Sequence, residues 1–335
     1  MRGGRREATG ARVADGYAAR YSARTVKFEY DEFDLSGVRT YPLASRKSKA
    51  NAPDFARPCP AGTTVAAFVE SLPSILAGSD FKAVVAAMRA ARDGGRGIVW
   101  GIGAHVLKTG LSPVLIDLMA RGYLSALAMN GAGVIHDFEL ALSGSTSEDV
   151  EEALGPGRFG MAEETGSLLN AAITGGVRSG LGLGQAVARF LLEQPPPHAR
   201  LSVIAGAAAL EIPVTVHVAM GTDIIHMHPS ASGSAIGEGS LRDFRYFTSI
   251  VSRLEGGVYL NCGSAVVLPE VFLKAVALAR NQGHSLAGLT TVNIDFMRMY
   301  RPQTNVVSRP VAGIGKGYSL VGHHELLIPL LAASL

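Results

Sequence analysis

From about residue 97 onward, short apolar runs that end in glycine or asparagine alternate with segments of helical period. Runs at 97–101 (GIVWG), 124–129, 213–218, 257–261 and 289–294 are too short and too continuously apolar for surface helices, and they predict buried parallel strands. Between them the apolar positions recur at three- and four-residue intervals. That spacing predicts helices over 112–121, 134–142, 162–173, 184–193, 202–210, 241–253, 270–280 and 325–335. Ser147 is placed to cap a short helix over 148–154, and Pro195 to Pro197 end the helix before them. Upstream, helices are expected over 65–76, with Pro73 as a possible break, and over 81–92. Residues 1–60 mix Arg, Gly, Ser and Pro without helical period and read as an irregular arm, with 26–33 alternating enough for an edge strand. The remainder, 61–335, reads as a single domain. Its strand–helix alternation predicts an α/β fold with a doubly wound, mostly parallel, Rossmann-like sheet.

Composition narrows the function classes. The chain has 335 residues, 47% hydrophobic and 18% charged, which is globular rather than disordered. A net charge of +3 is too small for a nucleic-acid footprint. Cys59 and Cys262 form no disulfide framework or zinc-knuckle spacing, so a reducing, cytoplasmic setting is expected. The first six residues are followed by no apolar run of the secretory kind. Mean hydropathy is +0.23, yet the most apolar stretch, 202–221, is interrupted by Glu211, Pro213 and His217. It reads as a buried helix and strand, not a membrane span.

In an open parallel sheet, ligands sit beyond the carboxyl ends of the strands. Four such ends carry distinctive residues. The first is Gly101, Gly103, Ala104, His105 and Thr109, where glycines admit a ligand to the backbone and the next helix offers free N–H groups. A tight strand-to-helix turn would use the same residues without a ligand. The second is Asn130, Gly131 and Gly133, followed by His136, Asp137 and Glu139 in the opening of a helix. Capping accounts for Asp137, whereas His136 beside an acid suits proton transfer or a ribose contact. The third holds Asp223, His226 and His228. With His217 they can be read as a metal site, but the spacing is no standard zinc signature, and no metal is expected. The fourth is Gly263 and Ser264, with Asp295 ending the next strand: a glycine turn for a pyrophosphate and an acid for a ribose hydroxyl. Lys316, framed by Gly315 and Gly317 in a polar loop, is accessible and suits imine formation if desolvated.

These segments, in this order, resemble the deoxyhypusine synthase family from about residue 97 to the end. The resemblance is strongest over 212–214, Gly221-Thr-Asp-Ile-Ile-His-Met-His228, the helix over 241–253, Gly263-Ser-Ala and Val292-Asn-Ile-Asp295. It implies NAD as cofactor, oxidation of a polyamine such as spermidine, transfer of an aminobutyl group through Lys316, and a homotetramer with sites between subunits. It also implies substrate contacts from Glu139, His226, His228 and Glu238. Ile314 stands where that family carries tryptophan, and Leu268-Pro-Glu270 where it carries paired histidines. The set Asn130, His136, Asp137 and Glu139 is closer to a second family, the NAD-binding domain of ornithine cyclodeaminase and lysine-ketoglutarate-reductase-like bifunctional proteins. Three activities are therefore expected as alternatives: amine oxidation with group transfer, cyclodeamination of an amino acid, and dinucleotide binding without catalysis.

Overall fold

A computed structural model describes residues 29–335. Contacts divide the chain into two units, 1–49 and 50–335. In the first, the described residues 29–49 are exposed and hold one 3-10 turn, Leu43–Ser45. No strand forms over 29–33, and the rest of the edge strand expected at 26–33 lies outside the described residues.

The second unit starts with two helices, α1 (Val65–Ser71) and α2 (Leu76–Asp93). Pro73 separates them because a proline ring cannot continue the helical ladder. Strand β1 (Ile98–Ile102) is followed by α3 (Ala104–Lys108) and α4 (Ser112–Ala120). Next come β2 (Ala126–Asn130), α5 (Gly131–Ser143), α6 (Val150–Leu154), α7 (Glu163–Arg178), α8 (Leu183–Glu193) and α9 (Val203–Ala209). Strand β3 (Val214–His217) leads through a long loop to α10 (Gly233–Val251). The chain closes with β4 (Val258–Cys262), α11 (Val267–Asn281), β5 (Thr290–Asp295), β6 (Lys316–Val321) and α12 (His324–Ala333).

All six strands pair in parallel, in the order β3-β2-β1-β4-β5-β6. This is the doubly wound Rossmann order, which reverses between β1 and β4. Side chains alternate across the sheet into two cores. Ile98, Trp100 and Ile102 enter one, with residues of α2, α4, α5, α8 and α9, while Val99 enters the other, with residues of α10 and α11. Burial on both faces explains why the central strands lack polar alternation.

The long insertion α6 to α9 between β2 and β3 is anchored by Asp137. This residue of α5 has no exposed surface and accepts from Ser202 Oγ at 2.5 Å, Val203 N at 2.6 Å and Ile204 N at 3.3 Å. It thereby holds the start of α9 from another helix. Burial pushes its carboxyl up to about 6, against these hydrogen bonds, which pull it down. Asp243 of α10 joins α8 to β3 in the same way, accepting from Gly184 N at 2.9 Å and Val216 N at 2.7 Å.

Candidate active site

The parallel arrangement places the ends of β1 to β5 on one side. At the reversal point, Gly103 N donates to Cys262 O at 2.9 Å, and a Cβ on Gly103 would overlap the carbonyl of Gly263. The turns after β1 and β4 thus lie back to back. Gly263 has φ +67°, a left-handed conformation that favours glycine, and His324 lies against it. His324 Nε2 contacts Ile294 O at 3.0 Å, while its buried Nδ1 has no partner among the described residues. The exposed His105 ring lies 5.5 Å from His324 and 6.3 Å from Phe296. Ser264 Oγ accepts from Leu268 N and starts α11, and Asp295, buried at the end of β5, accepts from Phe296 N at 2.8 Å. Ala104 opens α3, and Thr109 caps its end by donating to His105 O and Val106 O. The crevice therefore offers an unpartnered imidazole nitrogen, a strand-end acid and two helix starts.

Beside it, on the β2–β3 side, is a cavity of about 470 Å³. Lys108, His136, Glu139, Glu148 and Asp223 line it. Helix α5 starts directly after β2 because Asn130 caps it, its side chain accepting from Gly133 N at 2.9 Å. Asp223 lies against the start of α5, where a Cβ on Gly131 would overlap its carboxylate. Burial raises the Asp223 carboxyl, while His226 and the Ala132 N–H lower it. Its Oδ2 has no hydrogen-bond partner among the described residues. Burial, then Lys108, hold the His136 imidazole below its ordinary value, and Glu139 opposes them. Glu139 accepts from Thr146 Oγ1 at 2.5 Å and from Thr165 Oγ1 at 3.1 Å. Glu148 accepts from Gly160 N at 2.8 Å. A second cavity of about 690 Å³ shares the wall formed by Glu139, Ser147, Glu148 and Ala162, and adds Glu164. Together the two linings carry the carboxylates of Glu139, Glu148, Glu164 and Asp223 and the amine of Lys108.

Several residues expected at the site are placed elsewhere. Gly101 is inside β1, where a Cβ would meet the side chains of Tyr259 and Leu268. Asp137 is consumed in holding α9. His136 lies in the second turn of α5 rather than the first, because Asn130 starts the helix three residues earlier than its apolar period suggests. Lys316 opens β6 in register with Thr290, at the amino edge of the sheet, and so is not brought together with the carboxyl-end crevice. Glu238 pairs with Arg242 on the exposed face of α10. His226 is a loop staple whose Nδ1 accepts from Gly221 N and Asp223 N. His228 packs against Gly166, with its Nδ1 on Ser230 and its Nε2 3.5 Å from Glu163. His217 is buried against Phe247, where burial pushes it down to about 3. These histidines do not converge, and among the described residues no group of three side chains could hold a metal ion. Sequence reasoning passed over Thr146, Glu148 and Thr165, which lie in a polar loop and on a helix flank with no motif to mark them. No helix of the described residues is long and apolar enough to cross a membrane.

No known family profile and no curated protein matches the chain. Solved structures do resemble it. The ternary complex of AgrE with ornithine and NAD+ is 15% identical over 76% of this chain and 32% of its own, with a TM-score of 0.50. ArgZ, an arginine dihydrolase from the ornithine-ammonia cycle in cyanobacteria, is 19% identical over 79% of this chain and 33% of its own, with a TM-score of 0.47. A putative deoxyhypusine synthase from Entamoeba histolytica is 12% identical over 82% of this chain and 93% of its own, with a TM-score of 0.46. The chain spans about a third of the length of the first two. At these identities the likeness is one of fold, and the fold it supports is the α/β Rossmann-like sheet.

Proposed function

We propose that this chain is an NAD-dependent enzyme acting on a small cationic amine or amino acid. The observation that carries the reading is the carboxylate-lined cavity next to the β1–β4 crevice of a Rossmann sheet. The crevice residues fit a dinucleotide: among the described residues His324 has an orphaned buried nitrogen, Asp295 is an acid at a strand end, and the 15-residue α11 starts just after the Gly263 turn, where it would favour a phosphate. Gly103, Ala104, His105, Gly263, Ser264 and Asp295 would hold it. NAD, when bound, supplies a hydride acceptor for a carbon that bears nitrogen. Glu139 and Glu148 would draw in the ammonium, and His136, held neutral by burial, would take its proton. AgrE, which shares the fold, was solved with ornithine and NAD+, which supports a substrate of that class.

Two finer readings divide on Lys316. In the cyclodeaminase type, an amino acid such as ornithine is oxidised without a covalent lysine. The position of Lys316 at the amino edge of the sheet favours this one. In the deoxyhypusine synthase type, spermidine is oxidised and its aminobutyl group passes through Lys316, which would have to come from a second copy in a homo-oligomer. NADH formation with ornithine, arginine and spermidine, in wild type and Lys316→Ala, separates them. Full turnover in Lys316→Ala supports the first and rules out the second. Loss of turnover with intact NAD binding does the reverse.

A further inference from the structure

His136, Thr146 and Glu139 form a hydrogen-bonded chain. His136 Nδ1 lies 2.6 Å from Thr146 Oγ1, which lies 2.5 Å from Glu139 Oε2. A hydroxyl has one proton, and an ionised carboxylate only accepts. The Thr146 proton is therefore committed to Glu139. The short contact to Nδ1 then needs a proton on the nitrogen. Glu139 is fixed from its other side by Thr165 Oγ1 at 3.1 Å. The loop that presents Thr146 continues into Ser147 with φ +73°, a left-handed conformation that L residues seldom adopt.

We infer that Thr146 and Glu139 are positioning residues that lock neutral His136 in its Nδ1–H tautomer and turn the bare Nε2 into the proton acceptor of the cavity. Among the described residues Nε2 makes no hydrogen bond, and His136 lines the cavity. The step is a proton transfer: a substrate ammonium gives one proton to Nε2, leaving a neutral amine with its lone pair and an imidazolium. The positive charge is met through the Thr146 hydroxyl by Glu139. Lys108, Glu139, Glu148 and Asp223 are the charged or titratable groups that face the same cavity. Burial lowers the pKa of the ring, Glu139 opposes it and Lys108 adds to it, which favours the neutral form. The inference takes His136 as the base from the proposed function, but its geometry is independent of substrate.

Nitrogen-15 NMR of the full chain with labelled histidine, assigned by His136→Asn, reads the tautomer without NAD or amine. The expected wild-type state has a protonated Nδ1 and a pyridine-type Nε2. Glu139→Gln places an amide donor on Thr146, which frees the hydroxyl to donate to Nδ1, so the ring should switch to the Nε2–H form. Thr146→Val should give a mixture, and Thr146→Ser should restore the wild-type signal. If the proposed function also holds, Thr146→Val lowers kcat by about tenfold or more with little change in KM and moves the acid limb of the pH profile to lower pH, while Thr146→Ser recovers both. An Nε2–H ring in the wild type, or an unchanged tautomer in Glu139→Gln, overturns the inference. The predicted tautomers without NADH formation from any amine would leave the relay standing and remove the proposed function.

Discussion

Asp243 shows how one carboxylate can set a pH dependence. Burial pushes it up to about 7, against its hydrogen bonds to Gly184, Val216 and Leu183. A carboxyl raised in the folded state stabilises most below its unfolded value of 3.8, and that contribution is lost as pH rises through about 7. Asparagine does not titrate. The stability advantage of wild type over Asp243→Asn should therefore shrink from pH 4 to pH 7 and level off above, as read by urea unfolding at each pH. A gap that widens over that range would contradict the assignment. At the cavity, Glu148 is exposed, so solvent screens its attraction for a cation. Glu148→Gln should raise KM for a cationic amine by about three- to tenfold, with kcat nearly kept, about 1 kcal/mol of binding. Steady-state kinetics at two ionic strengths would check this. The sequence made His136, Glu139 and Asp223 visible because titratable groups stood beside glycines at strand ends. It did not separate Asp137 from them. An acid one position from His136 points about 100° away around α5, and only the tertiary contact with α9 reveals its purpose.

Elements were legible where the period was strong. The five strands β1 to β5 fall within one or two residues of their apolar runs, because each is buried on both faces. Strand β6 is not predicted by the sequence: Lys316 and Gly317 fall in a polar loop, and no element is expected over 318–321. Its sequence, KGYSLV, is an edge strand with mixed exposure and a glycine, so neither continuous nor alternating apolarity marks it. Helix α6 starts after Asp149, which caps it, whereas Ser147 takes a left-handed conformation facing the cavity. Glycines separate two kinds of constraint at this scale. A Cβ on Gly103 would meet the backbone of Gly263, which cannot rotate away, so Gly103→Ala should destabilise the protein by about 3 kcal/mol. A Cβ on Gly237, exposed in α10, meets nothing, so Gly237→Ala should stabilise it by about 0.5–1 kcal/mol. Thermal unfolding of the two variants side by side tests whether the β1 and β4 turns are packed as described. Equal Tm values would refute that packing.

For the whole molecule, the alternation of strand and helix predicted a doubly wound parallel sheet, and the strand order adds where it reverses. That reversal lies at Gly103 and Gly263, two of the glycines singled out from sequence. The acidic cavity was less legible because its wall joins α5, the loop before α6, the start of α7 and the loop after β3, which are distant in sequence. Lys316 illustrates the same limit. Its glycine neighbours suggested accessibility, and it is exposed, but local sequence could not tell which edge of the sheet it occupies. The proposed function requires the β1–β4 crevice to bind NAD beside a site for a cationic amine. A ligand that binds only the folded state raises its Tm, by about 2.7 kcal/mol of stabilisation at a hundredfold excess over Kd. The most direct measurement is Tm with and without NAD, in wild type and in His324→Ala, followed by NADH absorbance on adding ornithine. Tm should rise with NAD, by less in His324→Ala, and NADH should form on addition of the amine. A Tm unmoved by NAD in the wild type would contradict the proposed function.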